Sequence, residues 1–287
     1  MDVSVIVPVY DHWDLVPRLL ERLRAQSLSQ DRFEVLLVDN GSTQFSPPDE
    51  LPGNVRILTC STPGSYAARN AAIEAARGAW LVFTDADCLP RSDWLERLLH
   101  EAERSPNEPI LIAGRVDVVA SSSAPNRYEM YDIVKGIPQS WYVARGYAAT
   151  ANLAAPAQVV RELNGFDASR FSGGDYDFCR RASRAGVGLR YADDAVVEHP
   201  ARKSWQALVV KARRIKGAHI RAGSIRRRLM WMVRTFTPPV IAMWRFLSSP
   251  GVPMRYRLAA VTVQLRIWGV EMVEAVRLLG RKVPERR

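Results

Sequence analysis

Two aspartates one residue apart, Asp85 and Asp87, follow the apolar run in "WLVFTDADCLP", residues 80–90. Carboxylates that close repel each other unless a cation or strong hydrogen-bond donors lie between them. The pattern is therefore either a metal site or an acidic turn. Hard oxygen ligands suit Mg2+ or Mn2+, which keep coordination positions open for phosphate oxygens. Other polar residues fall at the ends of strand-like runs: Pro8 and Tyr10 followed by Asp11, and Asp39 with Asn40. In an open parallel sheet, ligands bind beyond the carboxyl ends of the strands, which would bring these positions to one rim. Turn chemistry alone accounts for Asp39 and Asn40 taken singly. Three acidic strand ends together require a cation or donors. The chain has no GxGxxG and no GxxxxGK[ST], so neither dinucleotide nor P-loop binding is supported. A nucleoside diphosphate could instead be held by a divalent cation on Asp87.

The elements that must carry these residues alternate. "VSVIVPV", "FEVLLVDN", "NVRILT" and "WLVFTDAD" read as buried strands. Between them "DLVPRLLERLRAQS" and "GSYAARNAAIEAARG" have helical character, the latter closed by Gly78, and "RSDWLERLLHEAER" follows the fourth strand. Short apolar strands alternating with helices predict a doubly wound α/β domain, Rossmann-like, with a mostly parallel sheet covered on both faces. From 110 to 200 the rhythm loosens. A strand "ILIAGRVDVV", a polar loop "SSSAPN", two short helices closed by Gly165 and Gly186, and extended "LRYADDAVVEH" are expected there.

Composition changes at about residue 200. Residues 1–200 hold 20 Lys/Arg and 27 Asp/Glu, whereas residues 201–287 hold 20 Lys/Arg and only Glu271, Glu274 and Glu285. The net charge of +10 thus belongs to the tail. Two domains are expected: a catalytic domain over 1–200 and a basic, amphipathic helical region over 201–287. The tail's apolar stretches are interrupted by Arg234, Arg245, Arg266 and Glu271, and Pro238 and Pro239 break one helix, which argues against a membrane span. Arg interleaved with Trp, Leu and Met fits either a helix in an anionic membrane interface or one that packs on the domain or in a homodimer. Three cysteines without metal spacing fit a reducing compartment. A strand beginning almost at Met1 leaves no room for a secretory signal, so the expected location is cytoplasmic, at the inner face of the plasma membrane if the tail binds there.

The order "VSVIVPVYD", "VLLVDNGS", "GSYAARNAAIEAARG", "LVFTDAD" and "GGDYDFCRRASRAG" resembles the family 2 glycosyltransferases of GT-A fold, over roughly residues 1–200. The resemblance implies an inverting transfer from a nucleoside diphosphate sugar, a UDP-sugar as first candidate, with Mn2+ or Mg2+ as cofactor. Pro8 and Tyr10 would line the nucleoside pocket, Asp39 would bond the base, and Arg69 would contact base or diphosphate. Asp85 would meet the ribose and Asp87 the metal, with His199 a further metal ligand. The general base would be Asp175, the second acid of a pair whose first member is here Gly174, with Asp177 as fallback. A helix N-terminus and a nearby cation would keep Asp175 ionised. Asn152 would approach the donor sugar, and Trp141 and Tyr142 could stack on a sugar face.

Processive members of that family carry a QxxRW motif and several membrane spans. Neither occurs here, so a single transfer to a hydroxyl acceptor, lipid-linked or part of a cell-envelope glycan, is expected. Two rivals stand beside it. A nucleotidyltransferase would need a Gly- and Lys-rich loop near its first strand, and "VPVYDHWD" contains neither residue. A non-enzymatic polyanion-binding protein would rest on the tail, which holds no nucleic-acid module, so no nucleic-acid partner is expected.

Overall fold

The computed structural model describes residues 1–104, 108–170, 172–221 and 224–280. The end of the first expected tail helix (Ala222, Gly223) and the last seven residues with Glu285 lie outside them. In chain order the elements begin β1 (Val3–Val9), α1 (Val16–Arg24), β2 (Phe33–Asp39), β3 (Val55–Thr59) and α2 (Ser65–Ala75). Next come β4 (Trp80–Phe83), β5 (Leu89–Pro90), α3 (Trp94–Glu103), β6 (Ile110–Val119), α4 (Arg127–Lys135) and α5 (Gln139–Val143). They continue with β7 (Leu153–Pro156), α6 (Ala157–Glu162), α7 (Gly174–Arg184) and β8 (Gly188–Pro200). The chain then runs through α8 (Trp205–Arg221), α9 (Ile225–Phe236), α10 (Val240–Leu247) and α11 (Met254–Leu279).

One sheet of eight strands has the order β3-β2-β1-β4-β7-β6-β8-β5. β1 pairs in parallel with both β2 and β4, and β2 with β3. The looser region supplies the rest: β7 joins β4 antiparallel, β6 joins β7 antiparallel, and β5 joins β8 antiparallel. Alternation along β1 explains the two layers. Val3, Val5, Val7 and Val9 point into one core with Leu19 and Leu23 of α1 and Trp94, Leu95 and Leu98 of α3. Ile6 points the other way, with Ala68 and Ile73 of α2, Val160 of α6 and Phe178 of α7. Burial on both faces is what continuous apolar strands require.

By their contacts the residues form two compact units, described separately. The first comprises Met1–Asp117, Ile137–Arg170 and Gly174–His199, and holds the sheet. The second joins Val118–Gly136 to the chain from Pro200 onward. Composition draws a boundary at 200, but α4 folds with the tail helices because Asp132 on α4 is held by Arg202 at 2.9 Å and by Lys211 at 3.8 Å. Tyr131 packs with Leu208, Phe246, Ala260 and Ile267 in the same unit. No helix among the described residues is long and apolar enough to cross a membrane.

Candidate active site

Register fixes the rim. Val9 of β1 stands opposite Asp39 of β2, Asp39 opposite Thr59 of β3, and Ile6 opposite Phe83 of β4. The carboxyl ends of four parallel strands therefore lie at one edge, where Pro8, Tyr10, Asp39 and the Asp85–Asp87 turn collect. Their mutual repulsion is met locally. Asp39 is buried and accepts hydrogen bonds from Trp13 Nε1 at 3.0 Å and from the Gly41 and Ser42 amides. Asp11, in a left-handed backbone conformation, accepts from the Gln44 amide and from the Thr43 hydroxyl and amide, and these bonds outweigh desolvation and hold its carboxyl below the usual range. Asn40 ties the β3–α2 connection, donating to the Cys60 and Thr62 carbonyls and accepting from the Gly64 amide.

Asp85 and Asp87 have charged or polar neighbours of another kind. Arg69 reaches across from α2 to bond Asp85 Oδ1 at 2.5 Å. It is only 2% exposed rather than a surface arginine, and its Nε is buried with no hydrogen-bond partner. An arginine held in this way presents a fixed positive charge at the strand ends, as anion recognition requires. His199, at the end of β8, is buried and places Nε2 3.5 Å from Asp87 Oδ2. Ligand atoms of Asp85, Asp87 and Cys88 lie within 4.8 Å of one another. Cys88 is fully buried and offers a soft sulfur, which hard cations such as Mn2+ and Mg2+ take less readily than oxygen. Asp85 is engaged by Arg69, which leaves the Asp87 carboxylate and the His199 imidazole as the pair within reach of one ion, and such a pair fits Mn2+ or Mg2+ with positions open for phosphate oxygens.

Asp175 opens α7 and accepts from the Tyr176 amide at 2.9 Å. Burial raises its pKa, against the opposing pull of that amide and of Arg69. The amide at the helix terminus thus opposes the burial without cancelling it. Tyr66 of α2 completes this corner, its hydroxyl 3.4 Å from Asp175 Oδ1. Burial also raises the Tyr66 phenol, which stays protonated and donates. Tyr66 explains the missing first acid as well: a Cβ on Gly174 would lie 2.7 Å from its ring. Sequence reasoning passed over Tyr66, although its place three residues before Arg69 puts both on one helix face. The fallback Asp177 is engaged otherwise, bonded by Arg170 at 3.0 Å and Arg181 at 2.9 Å.

Two expected sugar contacts separate. Asn152 is 0% exposed, and its side chain is spent inside the fold. It donates to the Arg115 and Ala195 carbonyls and accepts from Trp94 Nε1. It stitches β6, β8 and α3 together and has no capacity left for a donor sugar. Trp141 is an exposed residue on α5, with the Arg145 guanidinium 3.5 Å above its ring. From it an aromatic series runs through Tyr142 and Tyr147 to Tyr176, with ring centroids 5.8, 4.8 and 5.3 Å apart. Tyr176 adjoins Asp175, so this series ends beside the acid. Desolvation pushes the Tyr147 phenol up to about 12.

The chain is similar to known proteins. The family model described as "Glycosyl transferase family 2" matches residues 4–145, and that described as "Glycosyl transferase family group 2" matches residues 80–270. Glycosyltransferase AglE of Haloferax volcanii is 34% identical over 225 residues, covering 75% of this chain and 72% of that protein. The pre-mycofactocin glycosyltransferase of Mycobacterium tuberculosis is 29% identical over 208 residues, which span 69% of this chain and 42% of the relative. Among solved structures, the mannosyltransferase PcManGT from Pyrobaculum calidifontis, in complex with GDP-Man and Mn2+, aligns with a TM-score of 0.56 at 17% identity. That alignment covers 98% of this chain and 87% of that one. S. aureus TarS 1-349 in complex with UDP aligns with a TM-score of 0.51 at 14% identity, over 98% of this chain and 92% of that one. At such identities the structural likeness speaks for the fold alone.

Proposed function

The chain belongs to glycosyltransferase family 2 and has the GT-A fold, and from that premise we propose that it transfers one sugar, with inversion, from a nucleoside diphosphate sugar to an acceptor hydroxyl. The observation that carries the reading is the convergence of Asp85, Asp87 and His199 at the strand ends, beside buried Arg69. Pro8, Tyr10 and Asp39 line the nucleoside end of the rim, Arg69 serves the diphosphate, and Asp85 the ribose. Asp87 and His199 would hold Mn2+ or Mg2+, which when bound neutralises charge on the departing diphosphate. Asp175 takes the proton of the attacking hydroxyl, and its raised pKa suits a general base. Tyr66 donates to Asp175 and holds the carboxylate in place. A UDP-sugar is the first donor to try, since the aligned TarS structure holds UDP, and GDP the second, since the aligned mannosyltransferase holds GDP-Man. For the acceptor we favour a lipid-linked or cell-envelope glycan at the inner face of a membrane, supported by the basic tail.

Calorimetric titration of UDP, GDP, dTDP and CMP, each with and without Mn2+, tests this directly. One diphosphate should bind only with Mn2+, and Asp87→Ala should abolish that binding. Binding indifferent to both metal and mutation would reduce Asp85 and Asp87 to an acidic turn and remove the metal from the mechanism.

A further inference from the structure

Helices α9 and α10 of the tail unit are apolar on two sides. Inward, Thr235 and Phe246 are buried, Met232 packs on Ile220 and Leu278, and Trp231 stacks on His219 with centroids 4.0 Å apart. Outward, Ile225, Leu229, Val233 and Phe236 recur at helical spacing along α9, all exposed. Val240, Ile241, Trp244 and Leu247 do the same along α10, with Ile241 80% and Trp244 74% exposed. An apolar stripe of this extent facing solvent marks a contact surface. Isolated exposed leucines need no explanation, but two consecutive helices with such faces do.

Charge identifies what covers it. Arg226, Arg227, Arg228, Arg234 and Arg245 are exposed on the same two helices. No residue from 199 to 270 is acidic, so the segment as a whole is strongly positive. A protein partner or second copy seated on apolar residues would have to bring compensating acids to an arginine-rich rim. An anionic bilayer supplies both needs at once, acyl chains for Ile241 and Trp244 and phosphates for the guanidiniums. We propose that the outward face of α9 and α10 is a monotopic docking surface for anionic lipid, with Ile225, Leu229, Val233, Ile241 and Trp244 entering the acyl boundary. This deepens the membrane-held acceptor of the preceding reading and rests on that reading only for its purpose.

Flotation of the full chain with vesicles of phosphatidylcholine alone, or with phosphatidylglycerol added, tests it. Binding should require phosphatidylglycerol and weaken as salt rises from 50 to 500 mM, values chosen to span the shortening of the Debye length from above to below about 10 Å. The triple change R226Q/R227Q/R228Q should lower partitioning roughly a hundredfold, at about fivefold per arginine near an anionic surface. I241S/W244S should abolish binding at every salt concentration, while nucleoside diphosphate binding stays as in the unmodified chain. Failure of the unmodified chain to float would overturn the proposal. So would a dimer, by sedimentation equilibrium, that I241S/W244S converts to monomers, since a second copy would then own the face. Should I241S/W244S not fold, the arginine variant decides alone, because its side chains are solvent-exposed. A chain that floats but binds no nucleoside diphosphate would sink the transferase reading and leave this one standing.

Discussion

At the corner formed by Tyr66, Gly174 and Asp175, one ring both fills the space of an absent side chain and supplies a donor to the acid. Asp175→Asn should lower turnover by about a hundredfold to ten-thousandfold, the range for loss of a general base. The same change should stabilise the fold at neutral pH. The folded-state pKa of Asp175 lies above the ordinary 3.8, so its contribution to stability is present below that value and is lost as pH rises through the folded value. Thermal melts of variant and parent should therefore diverge at pH 7 and converge near pH 3. Tyr66→Phe removes a donor to the charged carboxylate, which raises the pKa of Asp175 further. Its rate should fall roughly three- to tenfold at neutral pH, the worth of one hydrogen bond. Its pH–rate profile should move its acidic limb to higher pH, which a merely structural tyrosine would not do. A variant with an unmoved limb would take Tyr66 out of the mechanism.

Among the elements, the alternating half of the fold was legible because strands buried on both faces must be continuously apolar, although Gly78 does not close α2, which ends at Ala75 with Ala76 already extended. The rim followed from strand order, so Asp39, Asp85 and Asp87 could be placed by reading alone. Contacts made across long sequence separations could not. The burial of Arg69 depends on Asp85, and the fate of Asn152 on Trp94 and two carbonyls from different strands. Helix α4 was missed for a related reason. It is tied to the chain beyond 200 by Asp132, whose ion pairs join residues about seventy positions apart. That tie has a measurable signature. Burial, with Arg202 adding repulsion against the attraction of Asp132, brings the Lys211 pKa down to about 7. Lysines with depressed folded pKa favour the fold increasingly as pH climbs from the folded towards the unfolded value. Lys211→Met removes both that burial penalty and a partner of Asp132, so its melting temperature relative to the parent should be highest at pH 6 and fall progressively towards pH 10. A difference independent of pH would mean that burial does not depress Lys211.

Taken whole, the chain is two opposite polyelectrolytes in one polymer. The isoelectric point of 9.9 averages an acidic stretch of 200 residues with a basic one of 87 and describes neither. Such a molecule is its own counterion. In dilute buffer the tail arginines of one copy attract the acidic stretch of another, a purely electrostatic, heterologous contact that leaves the apolar face of α9 and α10 uncovered and extends wherever its rotation does not close. Below about 50 mM salt, where the Debye length exceeds roughly 10 Å, light scattering should reveal turbidity that clears on adding salt and returns on dialysis. Anionic vesicles should clear it as well, by occupying the arginines first.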